Sequence, residues 1–269
     1  MTILLQDIWP INNPEEYKVH FARWNRHSQP LEVMARSSEE WQGWQEYRPG
    51  RNDFNRDYIF SLAQFYHETD VWMFGGVFRV LERYPDRYTV EMTDIGHQFH
   101  GRLKLYSPYR GRTTRKMMEK HYQDFQVKEI LQEPYSGRSF SGYDEIDLSF
   151  DELETLIRND RPDWKGPLEN IKGVYLITDT HTSRIYVGSA YGDDGIWSRL
   201  STYIENGHGG NVELRNLVNE NGLKYCLEHF RFALLEDHRP RTPDDVIIAR
   251  ETYWKRILLS RGVDGLNRN

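Results

Sequence analysis

A β-hairpin pattern in the second half of the chain is the feature that most constrains its fold. Two runs rich in apolar and β-branched residues, 173–178 and 184–189, are separated by five polar residues. This is the pattern of two strands joined by a short turn. If the last residue of the first run pairs with the last residue of the turn, Tyr175 lies opposite Tyr186 and both rings share one face. A slip of one residue would separate the rings, so the prediction depends on the register.

The segment after the hairpin predicts two helices. Asp193-Asp194 is suited to capping a helix from about Gly195 to Glu205, on which Arg199 and Tyr203 lie four residues apart and share a face. Asn211 and Gly222 have the residue types that begin and end a second helix.

A third strand and a last helix complete the predicted C-terminal domain. Residues 224–235 have an extended pattern, and Thr242-Pro243 followed by two acids predicts a helix that runs to about residue 260. The order hairpin, helix, helix, strand, helix predicts a small α/β domain whose three strands form an antiparallel sheet.

The first part of the chain has a different pattern. Several short alternating runs between residues 71 and 106 predict a β-rich, barrel-like domain, with helices at 54–66 and 113–122. A polar segment rich in Ser and Gly precedes residue 150, so we place two domains at 1–150 and 151–269. The predicted fold class is α+β.

Composition limits the functions that the chain can have. The formal net charge of −6 argues mildly against a nucleic-acid binder, yet Arg102–Lys120 contains seven basic residues and one acid. Cys226 is the only cysteine, which excludes an intramolecular disulfide and a cysteine-rich zinc site. The sequence shows neither a signal pattern nor a membrane-spanning run, so we expect a soluble, cytoplasmic protein that does not bind membranes.

Glu251 is the most unusual candidate for chemistry. It lies on the apolar side of the last predicted helix, where an ionised carboxylate needs a cation or a hydrogen-bond network. A single carboxylate suits Mg²⁺, which keeps most of its water ligands. The alternative is an ordinary helical ion pair with Lys255, four residues later.

The other candidates are ordinary residue types whose combination suits phosphate chemistry. The planar guanidinium of Arg199 can stabilise charge on a phosphate, and the phenols of Tyr175 and Tyr186 can position or deprotonate a water. Tyr203 can support either role. His208 can hydrogen-bond a phosphate or simply form part of a turn. Each residue also has a structural alternative, on a strand or on a solvated helix face.

Residues 172–267 resemble the GIY-YIG nuclease family. Gly173-Val174-Tyr175 and Tyr186-Val187-Gly188 match its two signature triplets with one conservative change each, Arg199 and Glu251 match its helix arginine and glutamate, and Asn267 matches a late asparagine often found in the family. The segment from Tyr186 through Asn211 resembles the restriction-type and stand-alone bacterial members more than the excision-repair subunit.

The resemblance implies metal-dependent hydrolysis of a DNA phosphodiester. Glu251 would hold one Mg²⁺ or Mn²⁺ ion per active site, Tyr175 would orient or deprotonate the attacking water, Tyr186 would assist, and Arg199 would stabilise the developing charge. Tyr203 stands where restriction-type members commonly carry a histidine, and other branches have tyrosine there. One site cuts one strand, so double-strand cleavage would need a homodimer or two successive nicks.

The first 150 residues carry no such match, and we expect them to read DNA sequence or base modification. The basic stretch would supply phosphate contacts from Arg110, Arg112, Arg115 and Lys116. His208 and Asn267 are further expected DNA contacts. Trp72 is a candidate for stacking on an extruded base, although core packing is its ordinary role. The alternative for the basic stretch is a solvated loop and helix.

Three functional hypotheses follow. The first is a bacterial or phage-type restriction or defence endonuclease, because specificity needs a module beyond the small catalytic domain. The second is a repair or recombination nuclease that acts on branched or damaged DNA. The third is a DNA-binding protein with a catalytically silent nuclease fold, against which the intact set of Tyr, Arg and Glu residues argues.

Overall fold

The computed structural model describes residues 2–192, 195–262 and 265–268. The chain divides into two compact units, Met1–Ser136 and Gly137–Asn269. The division falls before residue 150 because the segment that begins at Gly137 is built into the second unit, where a short strand at Asp147–Ser149 joins the sheet. No helix among the described residues is both long enough and apolar enough to cross a bilayer.

The N-terminal unit is a mixed seven-stranded sheet with helices. Its helices are α1 (Leu5–Ile8), α2 (Pro30–Arg36) and α3 (Ser38–Glu46), and its strands are β1 (Tyr17–Ala22), β2 (Tyr58–Gln64), β3 (Val71–Arg83), β4 (Tyr88–Met92), β5 (Leu103–Tyr106), β6 (Arg115–Met117) and β7 (Gln126–Ile130). The strand order is β6-β1-β2-β3-β5-β7, with β4 on β3. No pairing of β6 with β7 is found among the described residues, so an open sheet replaces the expected barrel.

Both helices predicted in this unit are wrong. The segment 54–66 contains the central strand β2, which pairs in parallel with β1 and antiparallel with β3. A strand between two others, covered on both faces, has a continuous apolar run without the alternation that marks a half-buried strand. The segment 113–122 contains the edge strand β6 and two short 3₁₀ turns.

A close approach at Gly75 explains the glycine pair in β3. The Trp41 ring of α3 lies on Gly75 and donates its indole hydrogen to the Gly75 carbonyl at 2.7 Å. A Cβ atom at this position would lie 2.5 Å from the Trp41 ring. This close backbone approach anchors α3 to the sheet.

The C-terminal unit has an antiparallel four-stranded sheet. Its strands are β8 (Asp147–Ser149), β9 (Lys172–Asp179), β10 (Ile185–Ala190) and β11 (Phe230–His238), in the order β10-β9-β11-β8. The predicted sheet had only three strands. The fourth strand, β8, was missed because its three residues are too few to show a pattern of their own. Its helices are α4 (Phe150–Arg158), α5 (Pro162–Glu169), α6 (Gly195–Asn206), α7 (Val212–Asn221), α8 (Leu223–His229) and α9 (Asp244–Ile257).

The helix boundaries follow local capping chemistry. The Asn211 side chain accepts the Leu214 amide at 2.9 Å, and α7 ends at Gly222, whose φ is +80°. Residues 223–229 then form α8, so the strand predicted at 224–235 starts only at Phe230. The buried Cys226 packs α8 onto the core as a helix. The predicted α6 cap, Asp193-Asp194, lies outside the described residues.

Candidate active site

The hairpin of β9 and β10 positions the two phenols. Tyr175 pairs with Gly188 and Tyr186 pairs with Ile177, a register two residues away from the expected one. Because side chains alternate with a period of two, a shift of two keeps both rings on the same face. The ring centroids of Tyr175 and Tyr186 lie 6.5 Å apart.

Gly188 makes room for the first phenol. A Cβ atom on Gly188 would lie 2.5 Å from the Tyr175 hydroxyl oxygen, so any other residue here would displace the ring. The glycine of the second triplet is thus explained by the tyrosine of the first, which lies over it across the hairpin.

Helix α6 adds a guanidinium and a third phenol. The Arg199 Nε–H donates to the Tyr175 hydroxyl at 3.1 Å, and the hydroxyls of Tyr175 and Tyr203 are 3.0 Å apart. Arg199 also lies over the Tyr203 ring, with 5.7 Å between its central carbon and the ring centroid. The structure therefore brings together Tyr175, Tyr186, Arg199 and Tyr203 in one hydrogen-bonded cluster, which we call the phenol cluster.

Burial keeps these phenols protonated. Desolvation raises the pKa of Tyr175, and the neighbouring Tyr186 raises it further, while Arg199 opposes the shift without reversing it. Burial likewise raises the pKa of Tyr186 and of Tyr203. At neutral pH the protein residues alone hold all three groups as neutral hydroxyls, which suits hydrogen bonding to a water or phosphate oxygen better than proton abstraction.

Glu251 of α9 acts electrostatically on one member of the phenol cluster, Tyr186. Its carboxylate accepts a hydrogen bond from the Ser189 hydroxyl of β10, and its negative charge raises the pKa of Tyr186, as expected of a near neighbour. Lys255 lies 2.7 Å from the other carboxylate oxygen. The ion pair considered as an alternative is therefore present, and the charge of the carboxylate still acts on Tyr186.

The donor atoms around Glu251 suit a hard divalent cation. A carboxylate has about four lone-pair directions, of which Ser189 and Lys255 occupy two. Among the described residues no group of three or more His, Cys, Asp or Glu side chains could form a dedicated metal cage. One carboxylate, a nearby hydroxyl and water are nevertheless sufficient for Mg²⁺.

Two expected DNA contacts make hydrogen bonds within the protein. Asn267 is buried, and its amide accepts the Val187 N–H and donates to the Val187 carbonyl, both at 2.9 Å. It therefore fixes the outer edge of β10 and is not accessible to DNA. His208 accepts the Gly210 amide through Nδ1 at 2.9 Å, which stabilises the turn between α6 and α7.

The basic stretch is only partly available for phosphate contacts. Arg115 is almost completely buried against Phe54, and burial lowers its pKa, so it is not a solvated phosphate contact. Arg110 is exposed but lies 3.1 Å from the Asp70 carboxylate. Arg112 is exposed and Lys116 is half-buried. Trp72 is a core residue that donates to the Ser107 carbonyl, so the suggestion that it stacks on a base is wrong.

Ser189 is the site residue that sequence reasoning missed. It directly follows Gly188 on β10, one position beyond the second triplet, and its hydroxyl fixes one oxygen of Glu251. Its importance comes from its position on a strand that packs against α9. The sequence gives no sign of this packing, so Ser189 could not be identified from the sequence.

Comparison with known proteins gives one curated relative and two solved structures. No protein-family model matches the chain. The chain is 30% identical over 95 residues to intron-associated endonuclease 1 of Enterobacteria phage T4. This match covers 35% of the chain and 36% of that protein, so the chain spans about a third of the length of its relative.

The solved structures are of one catalytic domain. The chain is 31% identical to the catalytic domain of homing endonuclease I-TevI, covering 36% of this chain and 98% of that one, with a TM-score of 0.28. A single-residue variant of the I-TevI catalytic domain is 28% identical, with coverages of 37% and 94% and a TM-score of 0.29.

Proposed function

We propose that the C-terminal unit is a GIY-YIG nuclease domain, in line with the similarity to a phage intron-associated endonuclease, and that the protein is an endonuclease that hydrolyses DNA phosphodiester bonds with the help of a divalent metal ion. The observation that carries the proposal is the convergence of three phenols and the Arg199 guanidinium, with the Glu251 carboxylate beside Tyr186. An arginine and oriented hydroxyls next to a carboxylate are what in-line attack on a phosphate requires.

Each residue has a definite task in this proposal. Arg199 neutralises the charge that develops on the phosphate oxygens, while its Nε–H fixes the Tyr175 hydroxyl. Tyr175 orients the attacking water as a hydrogen-bond partner, and Tyr203 holds Tyr175 in place. Glu251 and Ser189 would provide oxygen ligands for Mg²⁺ or Mn²⁺. Lewis-acid stabilisation of the phosphate charge is the chemistry that such an ion supplies when bound.

A plasmid assay tests this function. The protein is incubated with supercoiled plasmid in Mg²⁺, in Mn²⁺ and in EDTA, together with Tyr175→Phe, which removes one hydroxyl and keeps the ring. We expect nicked or linear DNA only with metal, and cleavage reduced by about 100-fold or more in the variant. No cleavage of any plasmid by the parent would overturn the proposal and favour a silent DNA-binding protein.

The biological role that we propose is restriction or defence, with the N-terminal unit reading the DNA. This unit is a separate compact fold of about half the chain. A specificity module of that size is what a small catalytic domain lacks. Plasmids that differ only in methylation test the role, since cleavage independent of modification and sequence, but strong on junctions and flaps, would instead indicate a repair nuclease.

A further inference from the structure

The N-terminal unit contains a pocket that the basic stretch alone did not reveal. The cavity measures about 960 Å³ and lies between the end of β1, the helix α3 and the segment that leads into β6. Small-molecule and nucleotide sites typically occupy about 300–1,000 Å³. We call it the aromatic pocket and define it by its principal lining residues, Trp24, Trp44, Tyr47, Arg112, Arg115 and Lys116.

Its aromatic rings are unusually exposed. Trp24 is 58% exposed and Tyr47 is 65% exposed, although neither is at a chain end. The third ring, Trp44, is half-buried and packs against the buried Trp41. Exposed rings that line a pocket offer π faces to a planar ligand.

The pocket is also positively charged. Its lining includes Arg23, Arg112, Arg115 and Lys116 against one carboxylate, Asp53. His20 forms part of the wall, and burial lowers its pKa to about 4, so it is neutral at physiological pH and does not change this balance.

The Arg115 cation is incompletely satisfied. Its side chain is 6% exposed, its nearest carboxylate oxygen is 3.7 Å away on Asp53, and its Nη2 donates to the Tyr47 carbonyl. Nε and Nη1 have no hydrogen-bond partner among the described residues. A buried cation with unfilled donors favours a ligand that brings hydrogen-bond acceptors and negative charge.

A nucleotide combines the two properties that this pocket selects, a planar aromatic ring and an anionic phosphate. We propose that the aromatic pocket binds a single unstacked DNA base, stacked on its exposed rings, with the adjoining phosphate on the rim cations Arg112 and Lys116. The proposal rests on the proposed function in taking DNA as the ligand. The base comes either from a single strand or from a duplex that extrudes it, which costs least at a mismatch.

Gly43 permits a test that removes no contact. It lies in α3 at the pocket wall, and a Cβ atom there would meet nothing within 4 Å. Gly43→Leu therefore fills the pocket while it improves helix propensity. Gly166 in α5 of the other unit is equally open, so Gly166→Leu is the matched control. Trp24→Ala removes an exposed ring, and Tyr84→Ala removes an exposed ring outside the pocket.

Fluorescence anisotropy in EDTA measures binding without cleavage. The probes are a labelled single strand, its matched duplex and the same duplex with one mismatch. We expect the parent to bind the single strand and the mismatched duplex more tightly than the matched duplex. Gly43→Leu and Trp24→Ala should weaken binding to these two preferred probes by roughly 5- to 100-fold, while the control variants bind like the parent.

The outcomes separate this proposal from the nuclease activity. Unchanged binding by both pocket variants, or an equal loss on all three probes, would overturn the pocket assignment even if plasmids are cleaved. A selective loss would support it even if no cleavage is seen. Unchanged thermal unfolding of Gly43→Leu shows that the loss is not a folding defect.

Discussion

Two glutamates contact side chains of α9, Glu236 from β11 and Glu251 within α9 itself, and they differ in how many hydrogen-bond donors each carboxylate accepts. Glu236 of β11 accepts Arg250 Nε on both oxygens, at 3.0 and 2.8 Å, together with the Trp254 indole at 2.8 Å. His238 lies 3.1 Å from its second oxygen. Glu251 accepts Ser189 and pairs with Lys255.

The comparison shows how the structural carboxylate of Glu236 differs from Glu251, for which we propose a functional role. Hydrogen bonds from Arg250 are the main cause that lowers the pKa of Glu236 to about 2, and little lone-pair capacity remains. Glu251 has fewer donors, and its charge acts on Tyr186 of the phenol cluster. Burial and charge are similar, so the number of unfilled acceptor positions is the property that separates them.

The largest expected effect on cleavage comes from neutralising Glu251, and the same change at Glu236 is its matched control. Glu251→Gln should reduce plasmid cleavage at least about a thousand-fold, because several kcal/mol of charge stabilisation through the metal are lost. Glu236→Gln should leave the cleavage rate within about threefold while it lowers stability. Equal activity losses in the two variants would break the distinction between the carboxylates.

Removal of the guanidinium is next in size. Arg199→Ala should lower cleavage about 100- to 1,000-fold, as loss of one preorganised charge donor typically does. The matched control is Arg215→Ala, on the exposed side of α7. Single-turnover rates at saturating DNA make the comparison, and a loss of the same size in the control would indicate a general effect of positive charge on DNA binding.

The candidate site was predictable where it depends on the alternation of side chains along a strand and on signals within a few residues. The predicted strand pairing of the hairpin differs from the observed one by two residues. Tyr175 and Tyr186 still share a face, because a register change of two residues leaves every side chain on the same face. The capping box at Ser149 is equally local, with the Glu152 amide donating to its hydroxyl at 3.2 Å. These features need only information within a few residues.

Features that depend on distant partners were not predictable. Asn267 looked like a DNA contact because nothing in its neighbourhood shows that it meets Val187, eighty residues earlier in the chain. The strand β2 looked helical because its burial comes from strands and helices that lie elsewhere in the sequence. Arg115 looked solvated for the same reason, since Phe54 and Tyr47 cover it.

Lys255 sharpens the comparison with a smaller effect. Its ammonium group is 2.7 Å from Glu251 and would repel a divalent ion at the same carboxylate. We expect Lys255→Met to lower the Mg²⁺ concentration for half-maximal cleavage several-fold, and Lys255→Arg to keep the parent value. A Mg²⁺ requirement that does not move in either variant would place the ion away from Glu251.

The smallest effect concerns stability and belongs to Glu236 alone. Its pKa is depressed in the folded protein to about 2, mainly by Arg250, so its stabilising contribution is present above the unfolded pKa of about 4.5 and is lost as the pH falls towards 2. Glu236→Gln should therefore destabilise the protein by roughly 1–2 kcal/mol at pH 7, allowing for its partial exposure. The difference from the parent in urea unfolding should shrink steadily below about pH 4.5. If the difference in unfolding free energy between parent and variant is constant from pH 7 to pH 3, the ion pair of Arg250 with this carboxylate does not stabilise the fold. The contrast with Glu251 would then lose its physical basis.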